Sequence, residues 1–291
     1  MRRSIGGRGF DFERQVAVMA VVNRTPDSFY DKGSTFALDR AVAASVRAAD
    51  EGADWVDIGG VPFGRGPAVS LQEELDRVVP VVAGIRERSG VVVSVDTTRS
   101  EVARACIAEG ASVVNDTSGL HDPGMLDVVA ASSAQLVITH SVGAPRSEPA
   151  RPEYDDVVAT VVGFLRDRVD RALAAGVAAE RIIVDPGHDL NKNTLHTLEL
   201  TRRLGEVAAL GHPVLAAVSN KDFIGETLDR PQGERLEGSL AAAVICILNG
   251  ARIVRMHDVR QAVDAVRLTE AVLGWRAPAY LRHNIEEETV A

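Results

Sequence analysis

A chain of 291 residues, 46% hydrophobic and 25% charged, is long enough to bury a large core without disulfide or metal staples. Its two cysteines, Cys106 and Cys246, both sit in helical apolar patterns, which excludes a disulfide framework or a zinc site and fits a reducing, cytoplasmic setting. A formal charge of -9 argues against a nucleic-acid-binding surface, no apolar run reaches membrane-spanning length, and Met1-Arg2-Arg3-Ser4 is not followed by an apolar secretory segment.

In chain order, short apolar runs ending in a polar residue alternate with amphipathic helices closed by glycine. The predicted strands are Val16–Asn23, Trp55–Gly59, Val91–Asp96, Ser112–Asp116, Gln135–His140, Arg181–Asp185, Pro213–Ser219 and Arg252–His257. Near-continuous apolar runs of this kind suit parallel strands covered on both faces. Helices are expected at Leu38–Glu51, Leu71–Arg88, from Thr98 to Gly110, Met125–Ala131, Asp155–Ala175, Thr194–Leu210, Glu237–Asn249 and Gln261–Gly274. Ser70 with Glu73, and Thr98 with Glu101, read as capping boxes. Gly52, Gly110, Gly176, Gly211 and Gly250 stand where a left-handed helix cap would need them. Alternating βα units at this spacing predict a single-domain α/β fold, a (β/α)8 TIM barrel over residues 14–278. It would carry an N-terminal extension at 1–13, expected to be peripheral, and an acidic tail at 279–291. A doubly wound sheet is the rival, and the lack of a Gly-rich phosphate turn after the first strand counts against it.

Catalytic groups of such barrels sit where strands end. Here those ends carry Asn23, Asp57, Asp96, Asn115-Asp116, His140, Asp185, Ser219-Asn220-Lys221 and Arg255-Met256-His257-Asp258. Any one Asp or Asn at such a place is more simply a turn or cap residue. The set is not, because Lys221 and Arg255 have no capping role there. The chain's only lysines, Lys32, Lys192 and Lys221, all fall in the loops of this same rim. Cations among carboxylates suggest an anionic or polar heterocyclic ligand.

Asn23-Arg24-Thr25-Pro26-Asp27-Ser28-Phe29 resembles the first signature of the dihydropteroate synthases. Asp57-Ile58-Gly59-Gly60, Ser94-Val95-Asp96-Thr97, Asn115-Asp116-Thr117-Ser118-Gly119, Asp185-Pro186-Gly187, Ser219-Asn220-Lys221 and Arg255-Met256-His257-Asp258-Val259 follow in that family's order, so the likeness runs from about Val16 to Leu273. The family condenses 6-hydroxymethyl-7,8-dihydropterin diphosphate with p-aminobenzoate. The resemblance implies that Asp96, Asn115, Asp185 and Lys221 ring the pterin, with Asp96 and Lys221 the catalytic candidates. It also implies that Asn23, Arg255 and His257 hold the diphosphate, and that Asn23 gives one oxygen to Mg²⁺. A homodimer is implied in the same way.

The chain departs from the family in two places. Where Glu-Ser-Thr-Arg-Pro-Gly is usual, it reads Val61-Pro62-Phe63-Gly64-Arg65-Gly66; after Asp185-Pro186-Gly187 it reads His188-Asp189-Leu190-Asn191-Lys192. In addition, Asn220 replaces the usual arginine of Ser-Arg-Lys. The pterin set is kept, and the residues that in the family meet p-aminobenzoate, sulfonamides and sulfones are altered. The expectation is a divergent paralogue with weak or no synthase activity. A working synthase is the alternative. A non-enzymatic ligand sensor on the same scaffold is a third reading. A folate methyltransferase is disfavoured because the diphosphate motifs would have no use there, and a zinc hydrolase because the first strand lacks His-x-His.

Overall fold

A computed structural model of the chain describes residues 1–23, 38–62, 67–143 and 151–284. Lys32, all of the first motif after Asn23, and Phe63 to Gly66 of the altered loop lie outside the described residues.

The chain opens with an antiparallel hairpin, β1 (Arg2–Ile5) and β2 (Arg8–Asp11). Eight parallel strands then close a barrel: β3 (Ala17–Asn23), β4 (Trp55–Gly59), β5 (Val92–Asp96), β6 (Val113–Asp116), β7 (Gln135–Thr139), β8 (Ile182–Asp185), β9 (Val214–Ala216) and β10 (Ala251–Met256). Each pairs with the next in sequence, and β10 pairs with β3, Met256 opposite Ala20. The protein is a (β/α)8 TIM barrel.

Alternation along the strands explains the core. Val18, Ala20, Val56, Ile58, Val93, Leu136, Val184 and Val254 face out and pack with the helices in one large cluster. Ala17, Met19, Trp55, Val92, Val113, Val137, Ile183, Leu215 and Ile253 face in and form a second. The hairpin completes that second cluster. Ile5, Phe10 and Phe12 are buried against it, Phe10 edge-on to Trp55 with ring centres 5.7 Å apart. The head, expected at the periphery, therefore plugs the barrel floor. Its alternation of apolar residues is too short to announce this in sequence.

The helices are α1 (Leu38–Asp50), α2 (Leu71–Arg88), α3 (Ser100–Ala108), α4 (Met125–Ala130), α5 (Val157–Ala174), α6 (Thr194–Arg202), α7 (Leu204–Ala208), α8 (Asp222–Leu228), α9 (Leu236–Leu248) and α10 (Val259–Val272). The expected single helix from Thr194 breaks at Arg203, and α8 is an additional short helix. Neither capping box forms as read. Ser70 accepts from the Glu73 N–H at 3.1 Å, but the Glu73 carboxylate pairs with Arg77 one turn on. Thr98 caps nothing, because the Ser100 N–H is taken by Asp122 from the next loop at 2.7 Å. The reciprocal box is Asn193 with His196, opening α6.

Candidate functional site

The same alternation that fills the barrel with apolar side chains continues toward the strand C-termini, where the inward residues turn polar. Asp57 follows Trp55, Ser94 and Asp96 follow Val92, and Asn115 follows Val113. In the same way Thr139 follows Val137, Asp185 follows Ile183, and Arg255 and then His257 follow Ile253. Most strand-end residues singled out in sequence thus share one rim because they share one face of the pleat, whereas Asp116 and His140, each one residue past an inward position, fall on the other face, His140 against Phe164 of the outer cluster.

Asp57 is the hub. It is fully buried and accepts from Ser94 Oγ at 2.6 Å, Asn115 Nδ2 at 3.0 Å and Arg255 Nε at 2.7 Å. Arg255 reaches on to Asp96 at 3.3 Å, and Thr117 donates to the other Asp96 oxygen at 3.3 Å. Burial, and then the neighbouring Asp57 charge, push the Asp96 carboxyl up to about 7, with Arg255 opposing. Asp57 is visible in sequence as a strand-end carboxylate, but its role as hub is not. The signal was there: an acid at an inward position of an otherwise apolar parallel strand must have partners.

Asp185 is buried, and its Oδ1 accepts from the Gly187 N–H at 2.7 Å. Burial raises its carboxyl to about 6, while the bond from Gly187 and the charges of Lys221, Lys192 and Arg255 pull the other way. Lys221, at the N-cap of α8, is lowered by burial and supported by Asp189 and Asp185. Asp96, Asn115, Asp185 and Lys221 therefore lie on one end of the barrel and feel common neighbours. His257 is held by Ser219, whose Oγ is 3.0 Å from Nδ1 and accepts from the His257 N–H at 3.2 Å. Burial and the cations Arg255 and Lys221 lower this imidazole to about 3, so it is neutral. Asn23 ends β3. A Cβ on Gly59 would come within 3.3 Å of the Asn23 Oδ1 and 3.8 Å of the Asp96 Cβ, so this glycine makes room for the amide beside Asp96.

The loop after β8 folds around Lys192. Its ammonium donates to the Gly187 and Leu190 carbonyls and meets His140 Nδ1, each at 2.9 Å. Among the described residues no group of three His, Cys, Asp or Glu side chains could hold a metal ion. Asp189 and Asn191, which replace family glycines, both have positive φ, 62° and 52°. Asp and Asn tolerate that conformation better than other side chains. Their side chains also make bonds: Asp189 accepts from the Phe223 N–H at 3.2 Å, and Asn191 from the Val142 N–H at 2.8 Å. The two positions thus hold a conformation that glycine would also allow. Asn220 is likewise left-handed at φ 58°, and its amide oxygen accepts from the Gly233 N–H at 3.1 Å.

Residues 19–257 match the model of the family described as pterin binding enzyme. The chain belongs to this family. Among its relatives, the inactive dihydropteroate synthase 2 of Mycobacterium leprae (strain TN) is 43% identical over 284 residues, covering 96% of this chain and 97% of the relative. The dihydropteroate synthase of Escherichia coli (strain K12) is 40% identical over 257 residues, covering 88% and 91%. The solved dihydropteroate synthase of Xanthomonas albilineans in complex with 7,8-dihydropteroate superposes with a TM-score of 0.84 at 40% identity, covering 94% of this chain and 99% of that one. The chain is a dihydropteroate-synthase-like protein. Overall identity does not separate an inactive relative from an active one, since 43% and 40% are nearly equal. The substituted loop positions must do so. No helix among the described residues is long and apolar enough to cross a membrane.

Proposed function

We propose that this chain is a pterin-pocket paralogue of dihydropteroate synthase with weak or no condensing activity. The supporting observation is the contrast within one rim. Asp96, Asn115, Asp185 and Lys221 converge on it with the partners a polar heterocycle would need, whereas the loop that begins at Val61 has lost the family's hydroxyls and arginine. Two carboxyls, an amide and an ammonium match the 2-amino, N3, O4 and N5 groups of a pterin. Asp96, beside the ring, would steady cation developing at the reacting methylene. Asn23, Arg255 and His257 would take the diphosphate. Two of the Arg255 donors are already committed to Asp57 and Asp96, so its hold on an anion would be weaker than that of an uncommitted guanidinium.

The donor set suits Mg²⁺ only as a partner of the diphosphate. Asn23 offers one amide oxygen, and the remaining ligands would be phosphate oxygens and water, as this hard cation prefers. When bound, the ion would neutralise charge on the leaving group. The chain's own residues would bind the pterin and orient its methylene.

Loss of two hydroxyls and a bidentate cation, each worth ~1–3 kcal/mol, amounts to several decades in rate. We place p-aminobenzoate, and by analogy sulfonamides and sulfones, as weak second ligands, and the protein as a cytoplasmic homodimer. A working synthase is the second reading, favoured by the left-handed, glycine-like conformation at Asp189 and Asn191. Calorimetric titration with the pterin diphosphate, with and without Mg²⁺, followed by a coupled assay with p-aminobenzoate, separates the two. Binding with turnover far below about 1 per second supports the paralogue; turnover at or above that rate establishes the synthase.

A further inference from the structure

Two polar side-chain atoms on the inward face of adjacent strands, beside the rim just described, are buried and have no hydrogen-bond partner: Asn115 Oδ1 on β6 and Thr139 Oγ1 on β7. Both residues are essentially inaccessible, at 1% and 0% exposure. Their situations differ. Asn115 has its orientation imposed. Its Nδ2 donates to Asp57 at 3.0 Å, and turning the amide round would set its oxygen against that carboxylate. What remains is an acceptor with nothing to accept from. Thr139 stands between the two strands that carry Asn115 and Asp185, and is directly opposite Asp185 in the register. Its hydroxyl can both donate and accept. A buried hydroxyl with no partner is unfavourable, and valine would fill the same shape without it.

We infer that Thr139 is a specificity-determining residue of this pocket, whose hydroxyl bonds a ring heteroatom of the ligand while Asn115 Oδ1 accepts from a neighbouring ring N–H. The ligand edge that satisfies both is lactam-like: an N–H donor next to a carbonyl or ring nitrogen. The location of the site rests on the pterin-pocket reading; the pairing of these two atoms does not.

The test is Thr139→Val and Thr139→Ser in the full chain, titrated calorimetrically with 6-hydroxymethylpterin and with guanine, which shares the lactam edge. Thr139→Val should bind the probe at least about fivefold more weakly, yet melt at a higher temperature without ligand, because an unsatisfied hydroxyl has gone. Thr139→Ser keeps the hydroxyl and should bind within about twofold of the parent. A purely structural Thr139 would not move affinity and stability in opposite directions. If the parent binds pterin and Thr139→Val binds it equally well, the inference is overturned and the pterin reading stands. If the parent binds guanine but not pterin, the pterin reading fails, and the guanine series decides on Thr139 alone. If the parent binds neither probe, both fall.

Discussion

Asp57 and Asp96 show how one buried charge sets the behaviour of another. In the folded chain Asp96 keeps its proton up to about 7, well above its ordinary value of 3.8. The folded state therefore binds that proton more tightly than the unfolded chain does. This contribution to stability is fully present below about pH 4 and is lost as pH rises through about 7. Asp96→Asn cannot ionise, so its stability relative to the parent should increase between about pH 5 and about pH 8; melting curves at the two values check this, and a constant difference would refute it. Asp57→Asn should bring the Asp96 titration down, because it removes the neighbouring negative charge, and carboxyl carbon resonances would follow the shift. The same variant leaves Arg255 paired with Asp96 alone and should cost roughly 1–3 kcal/mol, read by denaturant unfolding. At this scale the sequence revealed which residues reach the rim but not how they are wired. Spacing and strand-end position place Asp96, Asn115 and Asp185. That Arg255 crosses to Asp57, or that Ser219 holds His257, depends on barrel closure between distant strands.

Among the elements, strands were legible because parallel strands covered on both faces are continuous apolar runs, and helix ends because Gly52, Gly110, Gly176, Gly211 and Gly250 do adopt positive φ. Boundaries failed where tertiary partners decide. Asp122 displaces Thr98 as a cap, and Arg203 leaves the helix after Thr194 to bind Asp156, Glu199 and Glu206. The loop after β8 gives a sharper lesson. Reading Asp189 and Asn191 as lost glycines suggests a broken turn, yet both side chains hold the glycine conformation. Asn191→Gly should therefore cost less than Asn191→Ala. Alanine pays the left-handed strain of about 1 kcal/mol and also loses the bonds from Val142 and Ser141, whereas glycine loses only the bonds. Equal unfolding free energies for the two would show that the turn is not strained. For the hairpin, Phe10→Ala should cost roughly 3–5 kcal/mol in equilibrium unfolding, since its ring is 2% exposed between Phe12 and Trp55. A cost under about 1 kcal/mol would mean the floor is not sealed by this ring.

For the whole molecule, the altered loop is predicted to be the main brake on condensation. Rebuilding it as Val61→Glu, Pro62→Ser, Phe63→Thr, Gly64→Arg and Arg65→Pro should raise dihydropteroate formation by about tenfold or more, and only partway to an ordinary synthase, because His188 and Leu190 still differ. Initial rates at saturating pterin diphosphate measure it; no gain would place the defect elsewhere in the rim. Barrel closure has a further consequence, for the order in which the chain can be made. The last strand, Ala251–Met256, lies between the first barrel strand and Val214–Ala216. Arg252 on that strand also ties down the plug through the Phe12 carbonyl at 2.9 Å, and the Val16 N–H donates to Glu270 at 2.8 Å. Strands emerging early from the ribosome must therefore wait, with two unpaired edges, until almost the whole chain has been translated. A message cut short before Met256 yields an open sheet that invites edge-to-edge aggregation rather than a smaller working barrel.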